Sequence, residues 1–177
     1  MNEIIQKSVA ESVEIQKTFF EAKNRLIEHV ASLIVKTFDE GNKVILFGNG
    51  GSAADAQHMA AEFVGRFGID RDPLPAIALT TDASILTAIA NDFGFEQVFS
   101  RQVQAPGYVG DVAIGISTSG HSETVIEAIV EAKKKGLITV GFTGCGGGEL
   151  GKRVDYDFSV PSNNVAQIGR ASCRERV

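Results

Sequence analysis

Three stretches of this chain combine residue types and spacings that could do chemistry. In FGNGGSAADAQ (47–57), glycines at 48, 50 and 51 permit positive φ or close approach of a ligand to the backbone. Ser52 is placed to cap the following helix, whose first N–H groups suit an anion. The spacing is neither GxGxxG nor a Walker A loop, because no Gly-Lys-Ser/Thr follows. In ISTSGHSETV (116–125), Ser117, Thr118, Ser119 and Ser122 gather hydroxyls at a second helix start, suited to phosphate oxygens without a lysine. A plain serine cap with an ST-turn is the alternative there. Third, His58 and Glu62 stand four apart on one helix face. They could ligate a divalent metal, place a carboxylate beside a carbon acid for proton abstraction, or form only a surface contact. Asn91-Asp92, read as following a helix of residues 82–90, could accept sugar hydroxyls or cap that helix. His121 lies beside the Ser/Thr turn, and His29 reads as a helix-surface residue.

Such loops need a scaffold that sets strand ends against helix starts. Short apolar runs at KVILF (43–47), PAIAL (75–79), DVAIGIS (111–117), LITVGF (137–142) and YDFSV (156–160) alternate with helical stretches. Near-continuous apolar strands separated by helices predict an α/β, three-layer α-β-α domain with five parallel strands. Residues 3–40 carry apolar positions at helical spacing and read as two preceding helices. With 177 residues and 44% hydrophobic content, the chain suffices for one domain. Two cysteines, Cys145 and Cys173, make no disulfide framework, and no signal-peptide or membrane-spanning run is present, which predicts a cytoplasmic setting without membrane partners. A net charge of -5 gives no global basic field for nucleic acid.

The blocks FGNGGSAADAQHMAAEFVGRF, LPAIALTTD, LTAIANDFGFEQVFSRQV and GDVAIGISTSGHS together closely resemble the phosphoheptose isomerases, a family built on the sugar-isomerase (SIS) domain. The resemblance runs to about Ile168. It implies a homotetramer that interconverts sedoheptulose 7-phosphate and glycero-manno-heptose 7-phosphate, toward ADP-heptose for the lipopolysaccharide core. By position, it implies that Asn49, Gly50, Gly51 and Ser52, with Asn91 and Asp92, contact substrate, and that Ser117, Thr118, Ser119 and Ser122 cradle its phosphate. It implies Glu62 as a catalytic acid/base, with His58 and Glu62 as two ligands of one zinc per subunit. A replication-initiation regulator of the same fold, which binds the initiator protein, is the nearest alternative. Retention of Glu62 and of STSG disfavours it. A bare sugar-phosphate-sensing domain is a third reading, and no DNA-binding or kinase segment accompanies this chain.

The chain departs from the family after Ile168. The family's further ligands, a glutamine and a histidine that is also the second acid/base group, fall at Gly169 and Val177; Gln167 is out of register by two. The tail GRASCRERV has almost no apolar face and resembles a translated sequencing adapter. Residues 1–168 are therefore expected to form one SIS domain and 169–177 a non-native end. A polypeptide with that end is expected to be inactive and to bind zinc weakly.

Overall fold

Five apolar segments and the helices between them assemble into three layers. The structure, a computed structural model, describes residues 2–165 and 167–169. Its elements are α1 (Asn2–Asp39), β1 (Val44–Gly48), α2 (Gly51–Val64), β2 (Ala76–Ala78), α3 (Ala83–Phe93), a 3₁₀ turn (Phe95–Gln97), α4 (Ser100–Gln104), β3 (Val112–Ser117), α5 (Glu123–Lys134), β4 (Ile138–Thr143), α6 (Gly148–Gly151) and β5 (Tyr156–Ser159). The strands form one parallel sheet in the order β2-β1-β3-β4-β5. Each of the five apolar runs read from the sequence matches one of these strands to within one residue at either end.

Side-chain alternation sorts the core into two. Val44, Leu46, Val112, Ile114 and Ile116 join Ala56, Ala60, Phe19 and Val30 on the face covered by α1 and α2. Ile45, Phe47 and Ala113 join Val103, Val125, Ala128 and Ile129 on the face covered by α4 and α5. Both faces are dry, so the strands carry no polar alternation to mark them. At Gly115 an added Cβ would sit 2.8 Å from Val125 Cγ1, so the missing side chain sets how closely α5 approaches β3.

Two expectations about helices change. The N-terminal segments form one 38-residue helix rather than two. No proline or glycine interrupts residues 2–39, so nothing stops propagation once the helix is nucleated. Only its later part meets the sheet: Ile4, Ile5, Val9 and Val13 are exposed, whereas Phe19 and Val30 are buried. The helix of residues 82–90 extends to Phe93, which places Asn91 and Asp92 inside its last turn rather than beyond it.

Gln167–Ile168 belong to the core on the α1 side. Ile168 packs in that cluster. Gln167 is buried, its amide donates to the Ser8 carbonyl at 3.2 Å, and Ser12 Oγ donates to its Oε1. Gly169 is helical; residues 170–177, with Cys173 and Val177, lie outside the described residues.

At the N-terminal ends of β1 and β3 a buried carboxylate ties the two strands. Asp111 accepts from the Lys43 amide at 2.9 Å, Lys43 Nζ at 2.6 Å and the Tyr108 amide at 2.8 Å. The Lys43 ammonium also lies 4.8 Å from the Tyr108 ring centroid.

Candidate active site

The two phosphate-suited loops meet at the opposite ends of those same strands. β1 and β3 are neighbours, but the helices that follow them leave on opposite faces of the sheet, α2 with α1 and α5 with α4. Such a switch point opens a crevice at the carboxyl ends of the strands, the usual ligand position in an open α/β sheet. The sequence predicted loops of the right kind; the strand order brings them together.

On the β1 side, Gly50 holds φ 57° at the N-cap of α2, a conformation that favours glycine. Ser52 is therefore not the cap expected of it: it sits one residue inside the helix, its amide donating to the Asn49 carbonyl at 3.0 Å. Gly48 is needed for room, because a Cβ there would lie 2.8 Å from both Ile116 O and Ser52 Cβ. Asn49 Nδ2 donates to Thr124 Oγ1 at 2.7 Å, joining the glycine loop to the first turn of α5. Thr124 escaped the sequence reading, since nothing local marks it as a partner 75 positions away.

On the β3 side, Ser117 is buried and donates through Oγ to Ser122 Oγ at 2.9 Å, with Ser119 Oγ at 3.4 Å. Ser122 occupies the N-cap position of α5 without a side-chain capping bond. Its hydroxyl is engaged with Ser117 instead, so the hydroxyls converge as a cluster, as a phosphate cradle requires. Thr118 is half-buried and Ser119 exposed at the same turn. His121 bends back, Nδ1 meeting the Ser119 carbonyl at 2.6 Å.

The turn is braced from behind by the glycine-rich loop after β4. Leu150 donates its amide to the Gly120 carbonyl at 2.9 Å. A Cβ on Gly120 would overlap the Gly147 carbonyl oxygen, and Gly120 also holds φ 66°. Behind this loop, burial pushes the Asp157 carboxyl up, opposed by the Thr143 hydroxyl bond at 2.7 Å and by Lys23. Gly120→Ala is expected to destabilise the fold by roughly 1–2 kcal/mol or more, from left-handed strain together with the overlap on Gly147. Urea titration measures it.

His58 and Glu62 do face one another, with Nε2 3.7 Å from Oε1. Glu62 lies eleven residues into α2, roughly 16 Å along the axis from Gly51 at 1.5 Å per residue. Asn91 and Asp92 are likewise at the far end of α3, exposed, with Asn91 Nδ2 donating to Asp92 Oδ1 at 2.8 Å. Asp92 lines an open groove of about 470 Å³ along edge strand β2, beside Phe93 and Arg101. His29 contacts Tyr156 OH at 3.1 Å, a surface role as expected.

The expected zinc centre is corrected. Among the described residues, no group of three or more His, Cys, Asp or Glu side chains is placed to hold a metal ion. His58 and Glu62 supply two donors, where a zinc site takes about four or three plus an open position. The donor set does not fit zinc, and Gln167, committed to Ser8 and Ser12, adds none.

A second residue missed in the sequence acts on Glu62's turn. Arg71 Nη2 donates to the Glu62 carbonyl at 2.8 Å, and Nη1 to the carbonyls of Phe63 and Asp72 at 2.9 Å each. An arginine soon after a helix end is a known capping signal, and it was available in GIDRDP.

The chain matches the SIS domain family over residues 9–144. A phosphoheptose isomerase of Aquifex aeolicus is 54% identical over 168 residues, covering 95% of this chain and 88% of the relative. The phosphoheptose isomerase structure from Neisseria gonorrhoeae superposes with TM-score 0.91 at 39% identity, covering 98% of this chain and 92% of that one. The structure of the phosphoheptose isomerase from Francisella tularensis gives TM-score 0.93 at 34% identity, with coverage of 97% and 92%. With its five-stranded switch-point sheet and both loops in place, this chain belongs to the phosphoheptose isomerase family of SIS-domain proteins.

Proposed function

We propose that the chain isomerises a seven-carbon sugar 7-phosphate, sedoheptulose 7-phosphate to glycero-manno-heptose 7-phosphate, the step toward ADP-heptose and the lipopolysaccharide core; the expectation of inactivity rested on the tail, whose residues 170–177 lie outside the described residues. The observation that carries this reading is the pairing of the Asn49–Ser52 loop with the Ser117–Ser122 turn across one crevice, tied through Asn49 and Thr124. Hydroxyls and α5 amides hold the phosphate; Asn49 and the glycine-loop amides hold the sugar oxygens. Isomerisation then moves one proton from C1 to C2 through a cis-enediolate while a second proton passes between the two oxygens. The Glu62 carboxylate takes the carbon proton and returns it to the neighbouring carbon.

The separation along α2 supports a reading in which Glu62 acts across subunits. In this reading a sugar phosphate anchored at one chain's Ser/Thr turn meets Glu62, Asn91 and Asp92 of another copy, in keeping with their places roughly 16 Å along α2 from Gly51 and in the last turn of α3. This supports a homotetramer, as does the exposed apolar row Ile4, Ile5, Val9 and Val13 on α1. We place the enzyme in the cytoplasm without nucleic-acid partners. Among the described residues no helix is long and apolar enough to cross a membrane.

Subunit mixing tests the reading. Glu62→Gln and Ser119→Ala proteins are each assayed for conversion of sedoheptulose 7-phosphate, then unfolded together, refolded and assayed again. Each alone is expected to be impaired and the mixture to regain activity through sites that draw one intact group from each chain. A mixture no better than its components would overturn the shared site.

A further inference from the structure

Glu62 sits two residues before the end of α2, where helix carbonyls lack intrahelical partners and the backbone frays. A base that must meet one particular carbon cannot tolerate that freedom, since a misplacement of about 1 Å can cost 10²-fold in rate. The fold answers with the segment after α2, which doubles back on the helix end. Gly65 N donates to Ala61 O at 2.8 Å and Leu74 N to Phe63 O at 3.0 Å. The Arg71 guanidinium closes the turn by spanning the carbonyls of Glu62 and Phe63 and binding its own neighbour Asp72. Phe63 is also held against Phe38 of α1, ring centroids 5.5 Å apart.

We propose that Arg71 is a positioning residue for the proton transfer: by fixing the Glu62 peptide, it sets where the Glu62 carboxylate is presented. A rigid planar fork is suited to this because it bridges two successive carbonyls at once. A lysine carries the same charge on a flexible stem and lacks that fork. Its positive charge at the helix C-terminus also complements the macrodipole, which alone would give only a stabilising role. The two roles differ in what they move.

The inference rests on Glu62 being the base, so Glu62→Gln is measured alongside. Arg71→Ala and Arg71→Lys are compared with wild type for kcat, KM, melting temperature and amide hydrogen exchange of residues 61–64. Kinetics are taken well below every melting transition. The expected result for Arg71→Ala is a kcat about 10- to 100-fold lower, little change in KM, and faster exchange confined to the end of α2. Arg71→Lys should lie between the two. Should Arg71→Ala not fold, the lysine variant alone decides, by its lowered kcat. A wild-type kcat in either variant, with only a lower melting temperature, would reduce Arg71 to a structural cap and overturn the proposal. Full activity in Glu62→Gln would instead overturn the assignment of the base, whatever the Arg71 variants do.

Discussion

Glu62→Gln is expected to lower kcat by about 10²- to 10⁴-fold, the range that general acid–base catalysis contributes. Glutamine keeps the size and helix preference of glutamate, so α2 and its Arg71 cap stay formed; what disappears is the oxygen that can accept a carbon-bound proton. The Ser117–Ser122 turn is untouched, so affinity for inorganic phosphate should not change. A second readout is isotopic. In deuterated water the wild-type enzyme washes label into the sugar at the carbon it reprotonates, and the variant should incorporate it only at the residual rate of turnover. A kcat within tenfold of wild type, with label still entering, would remove Glu62 from the chemistry. The other large effect belongs to Asp111 and to stability.

Asp111→Ala is expected to destabilise the fold by about 3–5 kcal/mol, the usual result of removing one partner from a buried ion pair. The carboxylate is fully buried and satisfies two backbone amides besides the Lys43 ammonium. Alanine removes the acceptor shared by the Lys43 and Tyr108 amides and the Lys43 ammonium, and each polar group left unmet adds its desolvation. Urea titration should show a lower midpoint with an unchanged slope. Because the clasp grips the ends of β1 and β3 remote from the crevice, activity per folded molecule should be preserved. An unfolding free energy within about 1 kcal/mol of wild type, a typical single-substitution effect, would show that the clasp is dispensable.

The sheet was legible because parallel strands buried on both faces announce themselves as unbroken apolar runs, as in VILF and VAIGI. Glycines and hydroxyls at strand ends were equally visible. What stayed hidden was non-local. Thr124 looks like any first-turn threonine until β3 lies beside β1 and carries it to Asn49. Ser52 looked like a cap because serine commonly caps, but Gly50 reaches the required turn first with φ 57°. Asn91 and Asp92 looked like a loop because of Gly94, yet a helix continues until glycine actually ends it. The long α1 was read as two helices, although no proline or glycine breaks residues 2–39. The zinc reading joined two true neighbours to ligands that the described residues do not supply.

The clasp and the crevice also fix a timetable. Lys43 meets Asp111 across 68 positions and Asn49 meets Thr124 across 75, so β1 stays without its β3 partner until much of the domain has left the ribosome. Closing so long an excursion costs chain entropy before any pairing rewards it, and makes such sheets slow to complete. Until then the β3-facing edge of β1 is an open strand edge, exposed to other nascent chains. Docking of β3 seals that edge and brings Thr124 to Asn49 in the same event. Formation of the Asn49–Thr124 contact in a refolding chain therefore marks the moment its central strand pair has closed.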